Sequence, residues 1–177
     1  MVEWLEKETR YEGAILTVSQ GRVRTGDGQT ADFDIVEHHG GVAVVPLMGD
    51  RVILVRQPRP VVGESLLEIP AGKLEGPTDD IVTRAQEELS EETGYRAGRL
   101  LRVAEFYVSP GYSTERIYVF LGLELVASGA NPEATEEIER VEMSLAGVRR
   151  MLDEGAFHDS KTIIGLRELL AYLDRKQ

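Results

Sequence analysis

One segment carries most of the information in this chain: residues 70–95 read PAGKLEGPTDDIVTRAQEELSEETGY. The run Thr78 to Asp80 supplies side chains that cap free backbone N–H groups at the start of a helix. Gly94 is a natural left-handed terminator at a helix end. We therefore predict a helix between these two signals.

Three glutamates of that helix, Glu88, Glu91 and Glu92, fall within an arc of roughly 100° on an ideal helix. Like charges at these spacings repel by about 0.2–0.5 kcal/mol per pair. A hard divalent cation such as Mg²⁺ or Mn²⁺ prefers oxygen ligands, so its binding between these carboxylates turns the repulsion into a net attraction. On its own, however, the pattern is more typical of a solvated acidic helix face than of a metal site.

The segments on either side predict an alternating order of strands and helices. Alternation of apolar and polar residues predicts strands over residues 14–24 and 32–38, and β-branched runs predict strands over 42–47 and 51–56. Further strand patterns cover residues 66–69, 99–108, 115–126 and 138–143. Amphipathic spacing predicts two final helices, over residues 145–153 and 161–175. Strands and helices in this order indicate an α/β or α+β sandwich.

Composition narrows the class of protein. The 177 residues suit one domain, and the absence of cysteine excludes a disulfide framework and thiol catalysis. A net charge of −11 disfavours duplex nucleic acid as a partner. The N-terminus has no secretory signal pattern and no apolar run approaches the roughly 20 residues of a membrane span, so a cytoplasmic protein without a membrane partner is expected. The acids concentrate in residues 75–92 (net −6) and 133–142 (net −4).

The central segment resembles the Nudix box, Gly-x5-Glu-x7-Arg-Glu-U-x-Glu-Glu-x-Gly-U, where U is a bulky apolar residue. Residues 88–94 match, and Tyr95 stands at the last apolar position. The first Glu of the pattern falls on Asp79, the loop before it has one extra residue, and Glu87 replaces the box arginine. Arg84 lies one turn before Glu88, and we hypothesise that it substitutes in part for the missing arginine.

The resemblance implies an α/β/α sandwich around a mixed sheet, with an N-terminal β-strand extension over residues 1–40 and a Nudix domain over residues 41–177. It also implies Mg²⁺- or Mn²⁺-dependent hydrolysis of a nucleoside diphosphate linked to another group. The metal would be held by Glu88, Glu91, Glu92 and the backbone carbonyl of Ala71, with Glu91 also acting in catalysis.

Three further motifs are similar to those of one Nudix subgroup, the ADP-ribose pyrophosphatases: VRQPRP at residues 55–60, LEIPAG at 67–72 and VSPGYSTE at 108–115. This similarity implies hydrolysis of ADP-ribose to AMP and ribose 5-phosphate. It also implies a homodimer in which the N-terminal strands exchange and help line the partner's adenine pocket. GDP-mannose or another nucleoside diphosphate sugar is the nearest alternative substrate, and a non-catalytic nucleotide- or protein-binding Nudix module is the alternative class.

Residue roles follow from the same similarity. Arg59, and after it Arg56, would bind a phosphate or the terminal ribose, with surface charge beside a strand as the less favoured alternative for both. Glu115 would support the metal or the hydrogen-bond network of the site. Glu136 is our choice of general base, with its loop neighbours Glu133 and Glu137 as alternatives. The substrate-binding loop would consist of Ser109, Pro110 and Gly111.

Overall fold

The computed structural model describes residues 3–129 and 138–176, which form two sheets and three helices. The first sheet is antiparallel and lies N-terminal, in the order β1-β2-β3. Its strands are β1 (Glu3–Glu12), β2 (Thr17–Arg24) and β3 (Thr30–Glu37). All ten residues of β1 are exposed, although the strand pairs with β2 and the Trp4 ring lies against Phe33 of β3.

The second sheet is mixed and has seven strands. Its main path runs β10-β5-β4-β9-β8, with β6 paired to β5 and β7 paired to β4. Strands β4 and β9 are parallel, and the other pairs are antiparallel. The strands are β4 (Gly41–Met48), β5 (Arg51–Arg59), β6 (Glu64–Glu68), β7 (Ala71–Lys73), β8 (Tyr95–Tyr107), β9 (Arg116–Ala127) and β10 (Glu139–Ser144).

The three helices cover both faces of this sheet. They are α1 (Ile81–Thr93), α2 (Leu145–Asp153) and α3 (Ser160–Asp174). Because successive strand residues point to opposite faces, Val42 and Val44 of β4 pack with Leu89 of α1, whereas Ala43 and Val45 belong to the core under α2 and α3. This arrangement confirms the predicted α/β/α sandwich around a mixed sheet.

The predicted ends of α1 are confirmed in detail. Asp80 is the N-cap, and its Oδ1 accepts a hydrogen bond from the Val82 N–H at 3.1 Å. Gly94 ends the helix with a φ of 75°. These two signals fix the length of the helix, and packing of Ala85 and Leu89 against the sheet sets the direction in which its acidic face points.

Some predicted strand bounds were wrong. Strand β8 begins at Tyr95, directly after α1, four residues earlier than predicted. The short β7 was not predicted, because the turn residues Pro70 and Gly72 end the strand pattern at residue 69. Pairing of Ala71 with Ala43 of β4 overrides that local preference. Within the described ranges, no helix has both the length and the apolar character needed to cross a bilayer.

Candidate active site

A cavity of about 530 Å³ lies between α1, β5 and β7. We call it the carboxylate cavity. Three acidic and three basic side chains of the described residues line it: Glu88, Glu91, Glu92, Arg59, Lys73 and Arg84. It therefore combines oxygen donors for a cation with positive charges for an anion.

The three glutamates of α1 that line the cavity differ in how deeply they are buried. Glu88 and Glu92 are only 7% and 6% exposed, whereas the side chain of Glu91 is half-exposed. Oε2 of Glu92 accepts a hydrogen bond from the backbone N–H of Ala71 at 3.1 Å. Burying two carboxylates is costly unless they are paired, so this geometry is unlike a solvated acidic face.

Gly72 makes room for Glu88. A Cβ atom placed on Gly72 would lie 1.6 Å from Oε1 of Glu88 and 1.9 Å from its Cδ. No side chain larger than hydrogen fits there while Glu88 keeps its position. Strand β7, which carries Gly72, therefore packs directly against the acidic face of α1.

Arg84 contacts the acidic face of α1 as the sequence suggested. Its guanidinium pairs with Glu88, with Glu87 at 3.3 Å and with Glu91 at 3.9 Å. Its Nε also donates to the backbone carbonyl of Lys73 at 3.3 Å. A cationic group thus lies among the acids, although the box position itself is occupied by Glu87.

The donor set of this cavity fits a hard divalent cation. Its three carboxylates are oxygen ligands of the kind that Mg²⁺ and Mn²⁺ prefer. In the arrangement described here, Glu88 pairs with Arg84 and Glu92 with the Ala71 amide. Across residues 3–129 and 138–176, no three acidic or histidine side chains converge on one point closely enough to hold an ion.

Strand β5 supplies the opposite wall of the cavity. Arg59 forms a bidentate pair with the buried Glu68, with both N–O distances at 2.7 Å. Two residues earlier on the same strand face lies Gln57, which is 8% exposed and also lines the cavity. Its Nε2 is buried and makes no hydrogen bond within the described part of the chain. An unpaired buried donor of this kind indicates a place where an acceptor from a ligand is accommodated.

Other predicted site residues lie outside the carboxylate cavity. Arg56 points to the other face of β5 and pairs with Glu139 at 3.4 Å. Glu115 lies 3.9 Å from Nδ1 of His38. Pro110 and Gly111 line a separate pocket of about 340 Å³ against the N-terminal sheet, and Ser109 lines neither cavity. Glu133, Glu136 and Glu137 fall outside the described residues.

Sequence reasoning missed two cavity residues. Gln57 lies within the VRQPRP motif and Lys73 within residues 70–95, but neither was predicted to belong to the site. Strand alternation offered a signal for the first, since Gln57 and Arg59 share a face and Arg56 does not. No local pattern marks Lys73, which reaches the cavity because β7 pairs with β4.

Comparison with known proteins identifies the family. Residues 37–164 match the NUDIX domain family. The chain is 33% identical over 168 residues to a protein of Bacillus methanolicus named methanol dehydrogenase activator and to one of Bacillus subtilis named ADP-ribose pyrophosphatase, covering 93% of this chain and 90% of each relative. It is 32% identical over 147 residues to a GDP-mannose pyrophosphatase of Cronobacter sakazakii, covering 77% of this chain and 76% of that protein.

A solved structure described as an ADP compounds hydrolase has the same fold, with a TM-score of 0.86 at 20% identity over 99% of this chain and 95% of that one. The family match covers most of the chain and includes the acidic helix, the turn that carries Gly72 and strand β5. This chain therefore belongs to the Nudix domain family.

Proposed function

We propose that this chain is a Nudix pyrophosphohydrolase that splits ADP-ribose into AMP and ribose 5-phosphate. One observation carries the proposal: the carboxylate cavity has three glutamates on one wall and, facing them, Arg59 and Gln57, whose Nε2 has no hydrogen-bond partner among the described residues. The relatives named ADP-ribose pyrophosphatase, from Bacillus subtilis and Mycobacterium tuberculosis, support this choice of substrate.

A divalent cation, Mg²⁺ or Mn²⁺, would be held by Glu88, Glu91 and Glu92, with the backbone carbonyl of Ala71. When bound, such an ion neutralises pyrophosphate charge and lowers the pKa of a coordinated water. Glu88 and Glu92 keep fixed positions through burial and through the Ala71 amide. The more exposed Glu91 is free to contact the reacting groups, which agrees with a catalytic role.

The basic residues of the cavity would bind the anionic substrate. Arg59 presents a guanidinium suited to phosphate oxygens, and Gln57 supplies an amide donor beside it. Arg56 belongs to this proposal only as a contact at the rim, since it points away from Gln57. The loop residues Ser109, Pro110 and Gly111 would contact a part of the substrate that extends beyond the cavity.

Glu136 remains our proposed general base, with Glu133 and Glu137 as alternatives. Ile138, which directly follows this acidic loop, lines the carboxylate cavity. Glu115 would act on the hydrogen-bond network through His38 and not on the substrate directly.

A substrate panel tests this proposal. Release of AMP from ADP-ribose should exceed turnover of GDP-mannose, should need Mg²⁺ or Mn²⁺, and should stop when a chelator is added. GDP-mannose is the second candidate because relatives named GDP-mannose pyrophosphatase match 77% of the chain. Equal or greater turnover of GDP-mannose would reject ADP-ribose as the preferred substrate.

The variant Glu92→Gln distinguishes the proposal of an enzyme from the alternative of a non-catalytic binding module. The amide keeps the size of the side chain but removes a metal-binding charge, so turnover should fall while the fold persists. The wild-type melting temperature should rise at millimolar Mg²⁺ or Mn²⁺, because an ion that binds only the folded state stabilises it. Absence of both turnover and a metal-induced shift in the wild type would favour the binding module.

We also propose a homodimer in which residues 1–40 act as an extension that reaches the partner. Support comes from β1, which is exposed along its whole length and carries the exposed Trp4 and Tyr11. Sedimentation analysis should give a dimer, and the double variant Trp4→Ser/Tyr11→Ser should weaken it. A wild-type monomer at micromolar concentration would contradict the proposal. The cytoplasmic location stays a prediction.

A further inference from the structure

A buried cluster of four charges adjoins the carboxylate cavity, between β5, β6 and the start of α3. Its centre is Glu68, whose side chain is 1% exposed. Arg59 donates to both of its oxygens, through Nε to Oε1 and through Nη2 to Oε2. Lys161 donates to the same Oε2 and, at 2.9 Å, to Oδ1 of Asp159. Glu68 is therefore shared between two cations, one of which lines the cavity.

The position of Lys161 is fixed by its helix. Asp159 caps α3 by accepting the backbone N–H of Thr162 at 2.9 Å. The fully buried hydroxyl of Thr162 accepts the backbone N–H of Ile69 at 2.9 Å, which ties the start of α3 to the end of β6. Lys161 is thus held against Glu68 by two anchored backbone segments and not by a mobile surface contact.

Arg59 is the only member of the cluster that lines the carboxylate cavity. Glu68 occupies its Nε and Nη2, whereas Nη1 has no hydrogen-bond partner among residues 3–129 and 138–176. The pKa of Arg59 is raised above its usual range, mainly by the hydrogen bond to Glu68, with Asp159 and Glu92 adding smaller contributions.

We propose that Lys161 is a positioning residue that, through Glu68, keeps Arg59 effective as a binder of the substrate's phosphate. With two acids and two bases the cluster is neutral. Without Lys161 it carries a net charge of −1 beside a cavity that must accept an anionic substrate. Lys161 therefore offsets the charge of Glu68 and leaves more of the positive potential of Arg59 for the ligand. This inference rests on the proposed function, in which Arg59 contacts a phosphate.

The test compares Lys161→Met with the wild type on ADP-ribose in saturating Mg²⁺. The Met side chain keeps the length of Lys but removes its charge. We expect KM to rise about five-fold or more, in the range of measured couplings between sites, with kcat within about two-fold. Lys161→Arg should restore the wild-type KM. Lys161→Gln should behave like Lys161→Met, which shows that the charge matters and not only the hydrogen bond.

The matched control is Lys176→Met, at the other end of the same helix and roughly 20 Å away along it. Lys176 lies 4.6 Å over the ring of Tyr172 and has no contact with the cluster. This control should leave KM unchanged. An unchanged KM in Lys161→Met, or an equal change in Lys176→Met, would overturn the inference.

Calorimetric binding of ADP-ribose in the presence of a chelator separates the inference from the proposed function. Wild-type binding that weakens about five-fold in Lys161→Met supports the inference even if no turnover is found. Turnover in the wild type with equal affinity in both proteins overturns the inference and leaves the proposed function intact. A wild type that neither binds nor hydrolyses ADP-ribose overturns both.

Discussion

At the scale of single residues, the site depends on the absence of a side chain at Gly72. The carboxylate of Glu88 occupies the space that a Cβ would fill. Glu88 is also the acid most closely paired with Arg84. The position of one buried carboxylate is therefore set by a glycine on one side and an arginine on the other.

The variant Gly72→Ala should displace Glu88. A methyl group 1.6 Å from Oε1 cannot be accommodated, so turnover should fall by roughly a hundred-fold, as expected when a catalytic group is misplaced by about 1 Å. Steady-state kinetics and a thermal melt measure the two effects. Gly76→Ala in the same loop is the matched control, since the nearest atom to its added Cβ, Oδ1 of Asp79, is 4.0 Å away. Equal activity in both variants would contradict this account.

Arg84 offers a second test at this scale. Arg84→Ala should reduce turnover and weaken the metal-induced rise in melting temperature, because Glu88 loses the cation that orients it. Glu87 reaches to within 3.3 Å of the Arg84 guanidinium, so an arginine at position 87 can place its charge in the same region. The double variant Arg84→Ala/Glu87→Arg should therefore recover part of the lost activity.

Arg102→Ala provides the control for Arg84, because it removes an arginine from an exposed pair with Glu105. If Arg84→Ala changed neither metal affinity nor turnover, the hypothesis that it substitutes for the box arginine would be wrong.

At the scale of elements, α3 closes one face of the sheet through a close approach at Gly165. A Cβ there would lie 2.8 Å from Cγ2 of Val45 and 2.9 Å from Cδ1 of Ile69. Leu166 and Leu169, which follow Gly165 on the helix, are fully buried. The same contact holds the start of the helix, and hence Lys161, near β6.

Gly165→Ala should change the free energy of unfolding through two opposing effects, helix propensity and packing. Propensity alone predicts a gain of about 1 kcal/mol in the free energy of unfolding. Overpacking against the sheet costs about 1–3 kcal/mol, so we expect a net loss. Urea denaturation measures this change in the free energy of unfolding. A more stable variant would show that the interface between α3 and the sheet repacks without strain.

At the scale of the whole molecule, the net charge of −11 is unevenly distributed. Residues 75–92 carry much of it, on and just before the helix that lines the carboxylate cavity. Arg59 and Lys73, which lie outside this segment, bring compensating charge to the same cavity, in addition to Arg84 within it. Folding therefore builds a mixed-charge site from a segment that, by itself, is strongly acidic.

Acid should destabilise the fold in part through Glu68. Burial by itself raises the pKa of this carboxyl, but the hydrogen bonds and charges of Arg59 and Lys161 outweigh burial and hold its pKa below the ordinary value of 4.5. Its contribution to stability is therefore present above pH 4.5 and is lost as the pH falls through the lowered pKa. The unfolding free energy, measured against pH, should decline over that interval.

Glu68→Gln should flatten this acid dependence and lower stability at neutral pH by about 1.5–3 kcal/mol, typical of hydrogen bonds to charged groups. Asp32→Asn is the control. The pKa of Asp32 is also lowered, chiefly by its hydrogen bond to Arg22, but that pair is fully exposed and should change stability little. An acid dependence that is identical in Glu68→Gln and the wild type would exclude this role for Glu68.

The local chemistry of the sequence was enough to predict the three helices, most strands of the central sheet and the acidic face of α1, but it did not predict β1 or β7. Asp80 and Gly94 mark the ends of that helix, and a period of 3.6 residues puts its three glutamates together. Runs of β-branched apolar residues identified β4 and β5 at the centre of the mixed sheet, because helices bury both faces of the sheet there. The resemblance to the Nudix box then indicated the family, which the comparisons confirm.

Only the tertiary structure decided which charges meet. Glu68 and Lys161 are 93 residues apart, and Gly72 accommodates Glu88 from a different element. No local pattern encodes such contacts, because they arise when β7 pairs with β4 and when α3 is fixed to β6. The sequence by itself thus determined that a cluster of carboxylates exists and on which helix. Long-range pairing of strands and packing of the last helix determined how those carboxylates are oriented and which cations face them.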